Sequence, residues 1–334
     1  MSATATLLGT GCYLPEIELT NEELRQRLCA VDPELGPVVD KLETATAIRT
    51  RWHAPDDWST SDLAVQAAHA ALDDAGVSVR DIDMIIVGTD SPDYITPATS
   101  VVVQHKLGAD RAGTFDVGCA CASFPTAISV ANGLIATSPW MKHVLVIGAY
   151  LMHRLADPSD PMSFLYGDGA GAAVLGRGDE PGLLSSTFKA LGGYHKHWGI
   201  YSGGTAEPAS AESVAAGRTH VRLLERYPPE VNHDGWPALV RELAERGDFA
   251  VDDIDMAIFT QVRQPSIRTV MDTLGLPLEK THWVMDRWGY TGSACIPMAL
   301  DDARKTGKIG SGDLVTLVGS GVGANLAGVA LRTA

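Results

Sequence analysis

Basic residues are missing from the start of this 334-residue chain, where the first is Arg25. A secretory leader with a positive head is therefore not expected, and the protein is expected in the cytoplasm. Long apolar runs are also few, and none is expected to reach the ~18 residues that a membrane crossing requires. Cysteine is sparse: Cys12, Cys29, Cys119, Cys121 and Cys295 make an odd, scattered set. Their spacing suits neither a zinc site nor a disulfide framework, so reduced thiols are expected, without metal or cofactor. One of them is a candidate catalyst. Positive charge is in deficit, with 26 Lys and Arg against 41 Asp and Glu, for a net −15. That balance disfavours nucleic acid and anionic membranes as partners, whose phosphates it repels. An acidic carrier protein stays compatible if a local basic patch receives it.

What the chain does have is an internal duplication. Val79-Arg-Asp-Ile-Asp-Met-Ile-Ile-Val87 recurs as Val251-Asp-Asp-Ile-Asp-Met-Ala-Ile-Phe259, 172 residues later. Each copy follows a helix-like stretch ending on glycine, residues 62–75 before Gly76 and 237–246 before Gly247. Each then passes a proline (Pro97, Pro265) into a second helix ending Leu107-Gly108 or Leu274-Gly275. A short strand follows, 114–117 or 281–285, then a tight turn into a helix bearing Pro125 or Pro297, and then an apolar strand, 143–147 or 313–318. Strands alternating with helices imply a mostly parallel mixed sheet covered on both faces. The reading is an α/β protein of two similar halves, 1–180 carrying the candidate nucleophile and 181–334 completing its site. The second half opens on a long irregular stretch, 192–234, of the kind that forms binding loops and lids.

Phe115-Asp-Val-Gly-Cys-Ala-Cys121-Ala-Ser-Phe-Pro-Thr-Ala127 puts a cysteine between a strand and a helix. At a helix start, unpaired N–H groups and the dipole favour a thiolate, which attacks thioesters well. A neighbouring amide can hold the oxyanion that forms. The plainer reading of Cys121 is a small buried hydrophobe.

The cysteine loop resembles that of the β-ketoacyl-ACP synthase III family of the thiolase superfamily. Thr46-Ala-Ile-Arg-Thr-Arg51, Asp157-Pro-Ser-Asp160, Gly167-Asp-Gly-Ala-Gly-Ala-Ala-Val-Leu175 and Gly319-Ser-Gly-Val-Gly323 resemble it too, in family order across the chain. The resemblance implies a five-layered α-β-α-β-α thiolase fold, a homodimer, Cys121 rather than Cys119 as nucleophile, and Gly323 as an oxyanion donor. It also implies a His and an Asn that activate the cysteine and hold a malonyl thioester oxygen during decarboxylation. In this chain the corresponding segments read Thr260-Gln261 and Gly289-Tyr290-Thr291. A threonine hydroxyl does not titrate near neutrality, while Tyr290 can still donate one hydrogen bond.

Losing preorganised donors penalises condensation more than simple acyl transfer. The expected activity is transfer of an acyl group from an acyl-ACP or acyl-CoA thioester, through Cys121, to an oxygen, nitrogen or carrier-thiol acceptor, as in natural-product biosynthesis. The rivals are decarboxylative starter condensation with malonyl-ACP and a noncatalytic partner subunit of an active homologue. His195 and His197, in Gly193-Tyr-His-Lys-His-Trp198, are the candidate bases. The arginine that clamps CoA in the resembled family is replaced by Pro161, which tilts the donor towards a carrier protein. Arg49, Arg51, Arg154 and Gln261 are the candidate donor contacts.

Overall fold

The computed structural model describes residues 4–178 and 182–334. The boundary expected at 180/181 lies outside the described residues. The first sheet comprises β1 (Thr4–Tyr13), β2 (Met84–Gly88), β3 (Gly113–Val117), β4 (His143–Tyr150) and β5 (Gly169–Gly178), in the order β1-β5-β4-β2-β3. The second comprises β6 (Leu183–Ala190), β7 (Met256–Phe259), β8 (Leu314–Gly321) and β9 (Asn325–Arg332), in the order β6-β9-β8-β7. The orders match once each strand is shifted to its counterpart. The first sheet's extra edge strand survives in the second only as an isolated parallel bridge, Ala257 to Thr281. The strand expected over 281–285 is therefore reduced to that bridge, and Met285–Trp288 turns helical instead.

Both sheets are mixed. β2 pairs in parallel with β3 and β4, whereas β5 runs antiparallel to β4 and β1. In the second sheet β7 and β8 are parallel and β9 is antiparallel to β8 and β6. The parallel pairs are those joined by helical crossovers, and the antiparallel β8 and β9 close by a short return.

The helices α1 (Thr60–Ala75) and α2 (Thr99–Leu107) cover the outer face of the first sheet. Two more, α3 (Ser123–Thr137) and α6 (Cys295–Lys305), lie between the sheets and touch strands of both. The outer face of the second is covered by α4 (Gly235–Gly247) together with α5 (Gln264–Leu274) packed on it. These are the five layers. Three of the helix ends follow the glycine stop rule, with Gly76, Gly108 and Gly275 in the left-handed conformation. In α4 the expected stop, Gly247, is the last helical residue and Asp248 takes the left-handed cap. One stretch, Ala120–Thr137, is long and apolar enough to cross a membrane, but it is α3 with its preceding turn, mostly buried between the sheets.

The irregular region is less open than its sequence suggests. It carries a two-residue ladder between Trp198–Gly199 and Arg222–Leu223, and short helices at Ala211–Ala215 and Glu230–His233. The Trp198 indole N–H donates to the Tyr166 hydroxyl at 3.2 Å, which ties this region to the central cleft.

Candidate active site

Two helix starts meet at the centre of the molecule. The duplication pairs Ala120–Ala122, leading into α3, with Gly292–Ala294, leading into α6, and the two 3-10 turns pack on each other. Each turn needs a left-handed residue: Ala120 has φ 47° and its counterpart Gly292 has φ 44°. Glycine adopts that conformation freely, whereas Ala120 is strained by about 1 kcal/mol or more, strain of the kind that collects at functional turns. The residues after them are also counterparts, Cys121 in one turn and Ser293 in the other.

Cys121 is 1% exposed, and its sulfur hydrogen-bonds the Tyr290 hydroxyl. The second sheet is held close against this turn by glycines. A Cβ on Gly321 would stand 2.1 Å from the Cys119 carbonyl oxygen, and one on Gly319 2.8 Å from that of Cys121. Burial pushes the thiol well above its ordinary range, Asp90 and Cys295 push it further, and the Tyr290 bond opposes them. The resting thiolate expected from the helix start is thus not what this pocket favours. The thiol rests protonated, and attack on a thioester requires a proton acceptor.

The groups around it come from the carboxyl ends of the parallel strands and the turns that follow, where α/β folds build their sites. Tyr150 closes β4, and its ring centroid lies 5.8 Å from that of Tyr290. Trp198 sits 6.1 Å from the Tyr290 ring on another side. Gly323, at φ 102°, donates its N–H to the Tyr227 hydroxyl at 3.0 Å, and Tyr227 is close enough to Cys121 to feel its charge. A phenol oxygen therefore occupies the Gly323 amide that was expected to serve an oxyanion.

The chain matches the model for the C-terminal part of 3-oxoacyl-[acyl-carrier-protein] synthase III over residues 244–333, and the model for that synthase over 115–192. It is 38% identical over 332 residues to a protein of Syntrophomonas wolfei named β-ketoacyl-[acyl-carrier-protein] synthase III, covering 98% of this chain and 96% of the relative. The chain belongs to the 3-oxoacyl-ACP synthase III family. A second relative of the same name, from Natranaerobius thermophilus, is 35% identical over 330 residues, with 96% and 97% covered. Among solved structures, the 3-oxoacyl-ACP synthase III of Aquifex aeolicus superposes with a TM-score of 0.85 at 30% identity, covering 98% of this chain and 99% of that one. The priming β-ketosynthase of the R1128 polyketide pathway superposes at 0.88 and 30% identity, covering 99% and 96%.

Within that family frame the predicted site residues divide. Tyr290 reaches the sulfur. Thr260 is buried, but its hydroxyl is occupied in accepting the Ser320 N–H at 2.9 Å. Gln261 spends both ends of its amide on backbone, donating to the His282 carbonyl at 3.0 Å and accepting from the Val284 N–H at 2.8 Å. It is a brace for the loop before Tyr290 and touches no open space. His195 is exposed, its Nδ1 beside the Gly192 carbonyl at 3.0 Å, on a loop surface rather than in the cleft. His197 stands nearer. Its ring lies 5.2 Å from that of Tyr227, and Glu225 approaches its Nε2 at 3.6 Å. It is one ring behind the Gly323 amide.

The arginines divide likewise. Arg49 is exposed and pairs with Asp286 at 2.9 Å on the wall of an open cleft of about 580 Å³, also lined by Asp40, Glu43 and Gln264. Arg154 is pinned to the carbonyls of Asp56 and Trp58. Arg51 is not an entrance residue. It is fully buried, donates to Asn21 Oδ1 at 2.6 Å and lies over the Phe164 ring.

Sequence reasoning missed Tyr150, Tyr166, Tyr227, Asp90 and Ser293. Two of these left a signal. Asp90 stands just past the end of the apolar strand β2, and Ser293 lies 172 residues after Cys121.

Proposed function

We propose that this chain is an acyltransferase. Cys121 takes an acyl group from an acyl-ACP or acyl-CoA thioester and passes it to a hydroxyl, amine or carrier-thiol acceptor, in a homodimer whose half 1–180 carries the nucleophile and whose half 181–334 completes the site. The observation that carries the reading is the sulfur's partner. Where the family resemblance calls for an Asn and a His, the thiol meets the Tyr290 phenol and the Thr260 hydroxyl serves its own sheet. A malonyl enolate needs two preorganised donors and finds one at most, whereas acyl transfer needs an oxyanion donor and a base. Gly323 suits the first role once an acyl oxygen takes the place of the Tyr227 hydroxyl.

Decarboxylative condensation is the second reading, favoured by the printed names of the relatives and of the R1128 ketosynthase. Incubation with acyl-ACP and with acyl-CoA, read by intact mass, is expected to give an acyl adduct that vanishes in Cys121→Ala. Carbon dioxide release from malonyl-ACP is expected to stay at background. Release at turnover rates would hand the site to condensation, and an adduct elsewhere would remove Cys121 from its role.

A further inference from the structure

The pocket holds a buried neutral thiol with no histidine at its sulfur, so the question is where the proton goes. Asp90 sits on the turn after β2, and its Oδ1 accepts a hydrogen bond from the Ser293 hydroxyl at 2.6 Å. Ser293 stands on the helix start that packs against the Cys121 turn, three residues after the tyrosine that touches the sulfur. A Cβ on Gly88, two residues before Asp90, would stand 2.6 Å from the Cβ of Ser123, two residues after Cys121, so the segment that carries Asp90 packs against the cysteine turn, and its charge is felt at Cys121, Tyr290, Tyr150 and Tyr166. Its side chain is half-buried.

Resting on the acyl-transfer reading, we propose that Asp90 is the acid/base group of this site, in place of a histidine. Its carboxylate accepts the thiol proton as sulfur bonds to the acyl carbon. The donor's carbon–sulfur bond breaks, and the same proton leaves with the departing thiol. In the second half Asp90 takes the proton of the acceptor hydroxyl or amine and returns it to the Cys121 thiolate as the acyl group departs. No other reagent is consumed. Burial lifts the carboxyl to about 6, with the Ser293 bond holding it from rising further, and a base so poised is ionised yet competent at neutral pH.

Alkylation of Cys121 by iodoacetamide and its acylation by acetyl-CoA, each followed by intact mass over about pH 5 to 9, test the assignment in wild type, Asp90→Asn and Ser293→Ala. Both wild-type rates are expected to climb through about pH 6. Asp90→Asn keeps the acceptor for Ser293, so the fold is retained; it is expected to lose that limb and to slow roughly tenfold or more near neutrality. Ser293→Ala is expected to move the limb to higher pH, because the bond it removes holds the carboxyl down. Asp90→Asn rates equal to or above wild type at every pH would overturn the proposal, leaving Asp90 a charge that merely opposes the thiolate. A normal alkylation limb without acylation by acetyl-CoA or by acyl-ACP would overturn the transfer reading and leave Asp90 in its role.

Discussion

At the scale of single residues, the proposed chemistry rests on the contact between the Cys121 thiol and the Tyr290 phenol. A cysteine this deeply buried is inert unless something lowers the energy of its anion, and the Tyr290 hydroxyl is the one side-chain donor at the sulfur among the described residues. A hydrogen bond to a charged partner contributes about 1.5–3 kcal/mol, so Tyr290→Phe is expected to slow acylation of Cys121 by roughly ten- to a hundredfold. Stability should change little, because the ring that packs on Tyr150 and Trp198 remains. Single-turnover acylation followed by mass, beside a denaturant melt, checks both halves of that expectation. An unchanged rate would make the contact incidental.

This residue was legible as a hydrogen-bond donor from its place in the Gly289-Tyr290-Thr291 segment, and Cys121 from its strand-to-helix position. The helix-start argument predicted the thiol's place and misjudged its ionisation. It counts the dipole, while desolvation depends on a pocket assembled from segments more than a hundred residues apart. The position of His195 was misread for a related reason. Composition finds a titratable side chain but not the direction in which a loop turns it, and His195 faces solvent.

At the scale of elements, the cysteine turn is held by the approach of a strand. Gly319 and Gly321 on β8 leave no room for a side chain against the backbone of Cys119 and Cys121, and backbone cannot swing aside as a side-chain tip can. Gly321→Ala is therefore expected to destabilise the protein by about 1–3 kcal/mol, the usual range for overpacking. It should also lower acylation of Cys121, since relief comes from shifting the strained turn at Ala120. Gly118→Ala is the control, because a Cβ there meets nothing within 4 Å. Urea unfolding and adduct formation in the two variants decide it, and equal behaviour would remove the strand from any role in positioning sulfur. The duplication exposed both helix starts and most strands, because matched order survives where individual propensities are weak. It misplaced the 281–285 strand, since only the Ala257–Thr281 bridge of that edge pairs.

For the whole molecule, α3 and α6 serve both sheets, so the two halves share the core that lies between those sheets and pH-sensitive groups in one half bear on the stability of all. The sharpest such group is His53. Its ring stacks on His153 at 4.2 Å, its Nε2 lies 3.1 Å from the Tyr166 carbonyl, and His153 meets the buried Asp168. Burial draws His53 down to about 4, with Asp168 opposing and His153 assisting. An unfolded histidine titrates near 6.5, so between that value and about 4 the unfolded chain binds the extra proton and the folded one does not. Stability from this group is complete above the upper value and is lost as pH falls through the window, by on the order of 3 kcal/mol in all. His53→Phe removes the titration while keeping a ring against His153. Denaturant melts at several pH values should show wild type losing stability below about pH 6.5 and the variant losing markedly less, with a single transition in each because the layers share their central helices. Parallel loss in both proteins would assign the acid sensitivity to carboxylates instead.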